Sequence, residues 1–129
     1  MRDAVWGRRP ADLDLAVAGS GQAAATAWAR DQGLACRRLG RRFRQFRLTG
    51  GGRILDVQGL GRTPLAAFLA KRDFTLNALA WAWPDGNRIL DPVGGWRDVT
   101  ERRLRSLPGA YADDPVRVLR ALRLVRNLR

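Results

Sequence analysis

The sequence predicts a mixed α/β (α+β) domain, with a small mixed or antiparallel sheet flanked by helices. Three observations predict it. Asp12-Leu13-Asp14-Leu15-Ala16-Val17 alternates polar and apolar residues with the period of a strand. Two more strand-like runs, Phe43 to Leu48 and Arg53 to Val57, flank Gly50-Gly51-Gly52 as a hairpin with a loose turn would. Helical signals stand between and after these runs, and mixtures of this kind build layered α/β or α+β domains.

Taken in order, the first strand runs from Asp12 to Val17 and puts both aspartates on one face. Ser20 is a helix cap, and the helix it opens runs to about Gln32, where Gly33 stops it. The glycine-turned hairpin follows. Pro64 to about Leu79 favours helix. Trp81 and Trp83 then alternate ahead of the turn Pro84-Asp85-Gly86-Asn87, after which Ile89-Leu90 returns as a strand. Asp114-Pro115 is a cap followed by proline in the first turn of a last helix. Val118, Leu122 and Val125 mark its apolar stripe. No internal repeat or low-complexity linker interrupts the chain, and 129 residues suffice for one domain with a modest core.

Composition excludes several chemistries. With no histidine there is no His-based triad and no usual zinc site, and the single Cys36 excludes an intramolecular disulfide. No apolar run is long enough to span a bilayer, and charges stand where a signal peptide would need an apolar core. A reducing cytoplasm is the expected compartment. The net charge of +12 comes almost wholly from arginine, since only one of the 24 basic residues is lysine. Such a surplus suits a polyanion, because arginine forks onto phosphate in two-point contacts. It equally suits a solvated, Arg-rich surface.

The acids are more specific. Asp12 and Asp14 stand two apart on one strand face, so both stay ionised at low cost only if a cation sits between them. Hard carboxylate oxygens suit Mg²⁺, which takes one or two carboxylates plus substrate phosphates. Asp56, in the next hairpin, is placed to complete a cluster of the kind two-metal phosphoryl or nucleotidyl transfer uses. By itself an Asp-x-Asp is also an ordinary exposed strand edge. Arg117, Arg120 and Arg123 recur every third residue and share one side of a helix for two turns, so they can converge on one triphosphate or form a solvated basic face.

Four blocks in order carry a family resemblance. Arg2-Asp3 through Gly7-Arg8-Arg9-Pro10 into Asp12-Leu13-Asp14 is similar to a block in which V-R-D and a short helix lead through G-R-x-P to D-x-D. Arg72-Asp73-Phe74-Thr75-Leu76-Asn77-Ala78-Leu79-Ala80 resembles R-R-D-F-T-I-N-A-L/M-A, with Lys71 for the first arginine. Ile89-Leu90-Asp91-Pro92-Val93-Gly94-Gly95, continued by Asp98-Val99, matches I-D-P-x-G-G-x-x-D-L. Asp114-Pro115-Val116-Arg117-Val118-Leu119-Arg120-Ala121-Leu122-Arg123-Leu124 resembles D-P-x-R-x-L-R-A-x-R-F. Together these resemble the class II tRNA nucleotidyltransferases (CCA-adding enzymes) and bacterial poly(A) polymerases, within the polymerase-beta-like superfamily.

The resemblance implies a nucleotidyltransferase head over 1–110 and the start of a helical neck over 111–129. It implies Mg²⁺ held by Asp12 and Asp14, and Asp56, from its place in the next hairpin, is expected as the third catalytic acid. Arg2, Arg72, Asp114, Arg117, Arg120 and Arg123 would bind the incoming CTP or ATP. The RNA partner would be a tRNA or other RNA 3′ end. Asp73 and Asn77 are expected to support the site, or, more plainly, to cap a helix and satisfy buried backbone. Asp91 with Gly94-Gly95 reads as a turn, and Trp81 and Trp83 as packing, interface or base-stacking residues.

The family pattern has a strand and a glycine pair before V-R-D, where this chain has Met1, so the first strand of the head is expected to be missing. The stretch between Asp56 and Arg72 is short, as in CC-adding relatives. The base-selecting neck, body and tail would lie beyond the last helix or on a separate chain. Three functions follow: a CMP- or AMP-adding enzyme or split subunit, a module that binds Mg-nucleotide or RNA without turnover, and a small antibiotic- or toxin-type nucleotidyltransferase. The third leaves the R-D-F-T-x-N-A block and the arginine helix unexplained.

Overall fold

A computed structural model describes residues 1–39, 45–83 and 88–128. The chain opens with a one-turn helix, α1 (Arg2–Val5). The described residues divide into two compact units. One is Pro10–Leu65, and the other combines Met1–Arg9 with Ala66–Arg129.

The Pro10–Leu65 unit is a sheet with one helix on it. Its strands are β1 (Leu13–Val17), β2 (Ala35–Leu39), β3 (Gln45–Gly50) and β4 (Arg53–Gly59), in spatial order β1-β4-β3-β2. β1 runs parallel to β4, and the other neighbours are antiparallel. Helix α2 (Gly21–Gln32) forms where the sequence places it. The Ser20 hydroxyl accepts a hydrogen bond from the Ala23 N–H at 3.2 Å. Gly33 ends the helix at φ 63°, a left-handed conformation that favours glycine. Ala25 and Ala29 give α2 a low-profile buried face, and Phe46, Leu48, Leu55 and Val57 fill the space between helix and sheet. Each of these larger side chains contributes roughly 1.5–3 kcal/mol by leaving water. At the end of β4, a Cβ on Gly59 would lie 2.2 Å from the Gly21 backbone nitrogen, so the start of α2 approaches too closely for any side chain there.

The predicted strand from Asp12 begins one residue later, leaving Asp12 in the preceding bend. The predicted run from Phe43 starts outside the described residues, and its described part is β3. Strand β2 carries no alternating signal, because its Cys36, Arg37 and Arg38 are all exposed. Charged side chains on an edge strand discourage pairing with other chains.

In the second unit, the expected helix from Pro64 to Leu79 is broken. Helix α3 (Leu65–Leu69) ends early, and a 3₁₀ turn covers Thr75–Asn77. Between them the chain turns and bends over 70–73, and extended Phe74 bridges to Ser106: the Thr75 N–H donates to the Arg105 carbonyl and the Leu107 N–H to the Asp73 carbonyl, both at 3.0 Å. Phe74, Leu76 and Leu79 are all buried, which no single helical stripe would allow. Tertiary burial wins over local propensity here.

Strands β5 (Ala80–Trp81) and β6 (Ile89–Leu90) pair antiparallel, and the turn predicted at Pro84-Asp85-Gly86-Asn87 lies outside the described residues. Helices α4 (Gly95–Thr100), α5 (Ala110–Asp113) and α6 (Val116–Leu128) follow. A Cβ on Gly95 would fall 2.0 Å from the Thr75 carbonyl oxygen, so α4 rests directly on the 3₁₀ turn. The expected stripe of α6 is corrected. Val118, Leu122 and Val125 are 48%, 66% and 44% exposed, while Leu124, with Ala121 and Leu128, packs on the core of Phe74, Leu76, Leu79 and Val99. α6 has apolar residues on more than one face, and the one with Leu124 is the one that packs.

Candidate functional site

Two groups of the sequence-predicted residues are brought together, one in each unit. In the sheet unit, the face opposite α2 carries the acids. Cross-strand register places Asp14 beside Asp56 and Asp56 beside Arg47, with Arg37 next in line on the edge strand. Asp12 lies two residues before Asp14, and both are exposed. Asp56 is only 6% exposed. Its two oxygens accept from Arg47 Nε and Nη2, each at 2.7 Å, in a two-point ion pair. The hydrogen bonds and charge of Asp56, and then the charges of Asp12 and Asp14, push the Arg47 guanidinium above its ordinary pKa against desolvation. All three acids therefore act on one guanidinium.

Asp56 is thus committed to an internal cation. Among the described residues, no group of three or more His, Cys, Asp or Glu is arranged to hold a metal ion. The donor chemistry of Asp12 and Asp14 nonetheless fits a hard divalent ion: exposed carboxylate oxygens two residues apart, on a face where a cationic group already sits among the acids. Magnesium needs few protein ligands when substrate phosphates supply others. Sequence reasoning missed Arg47. The signal was there, since residues 47 and 56 are equidistant from the Gly51-Gly52 turn and hairpin register makes them opposite.

In the other unit, α1, the 73–77 segment and α6 are tied by one chain of hydrogen bonds. Arg2 Nη1 donates to Asn77 Oδ1 at 2.8 Å, Asn77 Nδ2 donates to Asp73 Oδ1 at 3.1 Å, and Arg120 Nη1 donates to Asp73 Oδ2 at 2.7 Å. The Phe74 N–H also donates to Asp73 at 2.9 Å. Asp73 is 3% exposed. Burial would raise its carboxyl pKa, but the hydrogen bonds from Asn77 and Arg120, with the charge of Arg120 and the Phe74 N–H, outweigh that and hold it below the usual range. Arg2 also pairs with Asp3 and lies 5.5 Å from the Trp6 ring centre. Trp6 in turn donates to the Val99 carbonyl at 2.9 Å.

Arg72 is the notable neighbour. Its guanidinium sits 4.8 Å from the Phe68 ring centre, and its buried Nε has no hydrogen-bond partner among the described residues. A buried donor without an acceptor costs about 1–3 kcal/mol, which an anionic oxygen would relieve. Arg117 donates to the Ala110 carbonyl at 3.1 Å, Arg123 is exposed, and Asp114 accepts from the Val116 N–H at 3.0 Å as the cap of α6. The three helix arginines therefore point to different tasks in this structure, with Arg120 the one bound into the network.

The remaining motif residues are structural. Asp91 accepts from the Gly95 and Trp96 N–H groups at 2.7 and 3.0 Å and caps α4, the turn role expected of it. Thr75 and Arg105 both donate to Asp98, which is 1% exposed. Trp81 and Trp83 are 63% and 85% exposed, so they are not core.

Comparison with known proteins agrees with the sequence resemblance. The model of the poly A polymerase head domain matches residues 62–105. A multifunctional CCA protein of Xanthomonas campestris pv. campestris is 35% identical over 144 residues, covering 99% of this chain and 33% of the relative. A CC-adding tRNA nucleotidyltransferase of Geobacter sulfurreducens is 37% identical over 131 residues, covering 99% of this chain and 30% of the relative. A solved tRNA nucleotidyltransferase, complexed with a primer tRNA and an incoming ATP analog, superposes with a TM-score of 0.79 at 33% identity, over 95% of this chain and 38% of that one. The chain spans about a third of the length of the curated relatives it matches. Among its described residues, no helix is long and apolar enough to cross a membrane.

Proposed function

We propose, from the premise that this chain is similar along nearly its whole length to the head of CCA-adding nucleotidyltransferases, that it is the head of a template-independent RNA nucleotidyltransferase. Residues 1–110 form that head and 111–129 begin the neck. The reaction it serves adds CMP or AMP to tRNA 3′ ends, as CCA or CC addition, with release of pyrophosphate. It works in the cytoplasm, and its other partners are CTP or ATP and any separate chain that supplies neck, body and tail. One observation carries the reading. The two exposed aspartates of the D-x-D stand at the start of β1, Asp14 beside Asp56 in register, in a chain 35–37% identical, over 99% of its length, to a CCA protein and a CC-adding enzyme.

Asp12 and Asp14 are the residues that would hold Mg²⁺, with Asp56 as the third acid of the row. When bound, the metal lowers the pKa of the attacking 3′-hydroxyl and neutralises charge on the departing pyrophosphate. Arg72, Arg120, Arg2, Arg117 and Arg123 bind the triphosphate of the incoming nucleotide, with Asp114 setting the start of the helix that carries three of them. Asp73 fixes Arg120, and Asn77 fixes both Asp73 and Arg2, so these two orient the cations without touching the nucleotide.

The test is Mg²⁺-dependent incorporation of labelled CTP and ATP into tRNA lacking its terminal CCA. Incorporation by the 129-residue chain, or by the chain mixed with one carrying neck, body and tail, is the expected result. Asp12→Ala/Asp14→Ala should reduce it by on the order of 10³-fold, the equivalent of several kcal/mol of metal-assisted stabilisation. Incorporation that survives in that variant would remove the metal assignment. Nucleotide binding without incorporation under either condition would instead mark a binding module.

A further inference from the structure

We infer that Arg47 is a built-in counter-cation of the carboxylate row, a positioning residue that keeps Asp56 out of the first metal site and weakens the binding of a bare divalent ion. The inference rests on the reading of Asp12 and Asp14 as metal ligands.

Four observations lead to it. Register places Arg47, Asp56 and Asp14 side by side across β3, β4 and β1, on the face away from α2. Both Asp56 oxygens are taken by the guanidinium fork at 2.7 Å, so a metal ion that used this carboxylate would share it with a fixed positive charge. Asp56 is 6% exposed while Asp12 and Asp14 are exposed, so solvent ions reach the D-x-D pair first. The β3–β4 hairpin register sets residue 47 opposite residue 56 whenever the sheet is formed. The raised pKa of Arg47 agrees, since it records the pull of all three acids on this one group.

The experiment is Mn²⁺ binding to the chain without nucleotide, read by electron paramagnetic resonance or calorimetry at low salt. Arg47→Met should bind Mn²⁺ about tenfold more tightly, as expected for removing a positive charge a few ångströms from the ion in a partly solvated site. Arg47→Met/Asp56→Asn removes the whole ion pair and leaves no buried charge unpaired, so it guards against a single variant that fails to fold. It should bind Mn²⁺ within about twofold of the unaltered chain. Unchanged or weaker binding by a folded Arg47→Met overturns the inference. So does a large loss of binding in the double variant, because that would make Asp56 a ligand of the first ion. Asp12→Asn/Asp14→Asn is the separate control. If it leaves Mn²⁺ binding intact, the metal reading fails, whatever Arg47 does.

Discussion

The two units treat their acids in opposite ways. In the unit of Ala66–Arg129 with Met1–Arg9, Asp73 is buried, accepts three hydrogen bonds and anchors Arg120, so the acid serves the stability of the fold and the posture of a cation. In the Pro10–Leu65 unit, Asp12 and Asp14 are exposed at the start of β1, while the buried Asp56 is held in a two-point ion pair with Arg47. A carboxylate that is desolvated must be satisfied by the protein itself. One left in water can be satisfied by whatever arrives. The contrast separates acids that build a site from acids that work in it.

The largest expected change in stability breaks the first half of this contrast. Asp73→Ala strands the Phe74 N–H and Asn77 amide and releases Arg120, and should cost about 3 kcal/mol in urea unfolding at pH 7. The same residue gives a pH signature. Its folded pKa lies below the unfolded value of about 3.9, so its contribution is complete above that value and is lost as pH falls through the lower folded pKa. The stability gap between the unaltered chain and Asp73→Asn should therefore be constant near neutrality and shrink below about pH 4. A gap that does not change with acidification would mean that Asp73 is not held as an ionised carboxylate.

The next effect sharpens the border of the buried core. Leu124→Ala should cost about 2–3 kcal/mol by leaving a cavity against Phe74, Leu76 and Val99, whereas Leu122→Ala should cost about 0.5 kcal/mol or less. Thermal or urea melts of the two variants decide it. Equal costs would show that the outer stripe of α6 is covered in solution.

This pair of leucines also shows where the sequence stopped being legible. Local signals held wherever a residue acts on its own neighbours: Ser20 and Gly33 bound α2, the three glycines turn β3 into β4, and the D-x-D marks β1. They failed where a distant partner decides. Phe74 is extended because 105–107 pairs with it, β2 exists because β3 offers an edge, and Leu124 rather than Leu122 is buried because the core lies on its side. In the site, the motifs named the acids and arginines. They did not show that Asp56 is already paired with Arg47, or that only Arg120 of the helix arginines joins the buried network.

The smallest effect on stability is the most diagnostic for the second half of the contrast. Asp12→Asn/Asp14→Asn removes two exposed charges and should shift the urea unfolding free energy by no more than about 0.5 kcal/mol, since their mutual repulsion and their attraction to Arg47 oppose each other. If the double variant instead loses as much stability as Asp73→Ala, the two acids are structural like Asp73. Loss of nucleotide incorporation in that variant would then report unfolding rather than chemistry. A stable variant that no longer binds Mn²⁺ leaves the carboxylate row with one role, holding the ion beside Arg47.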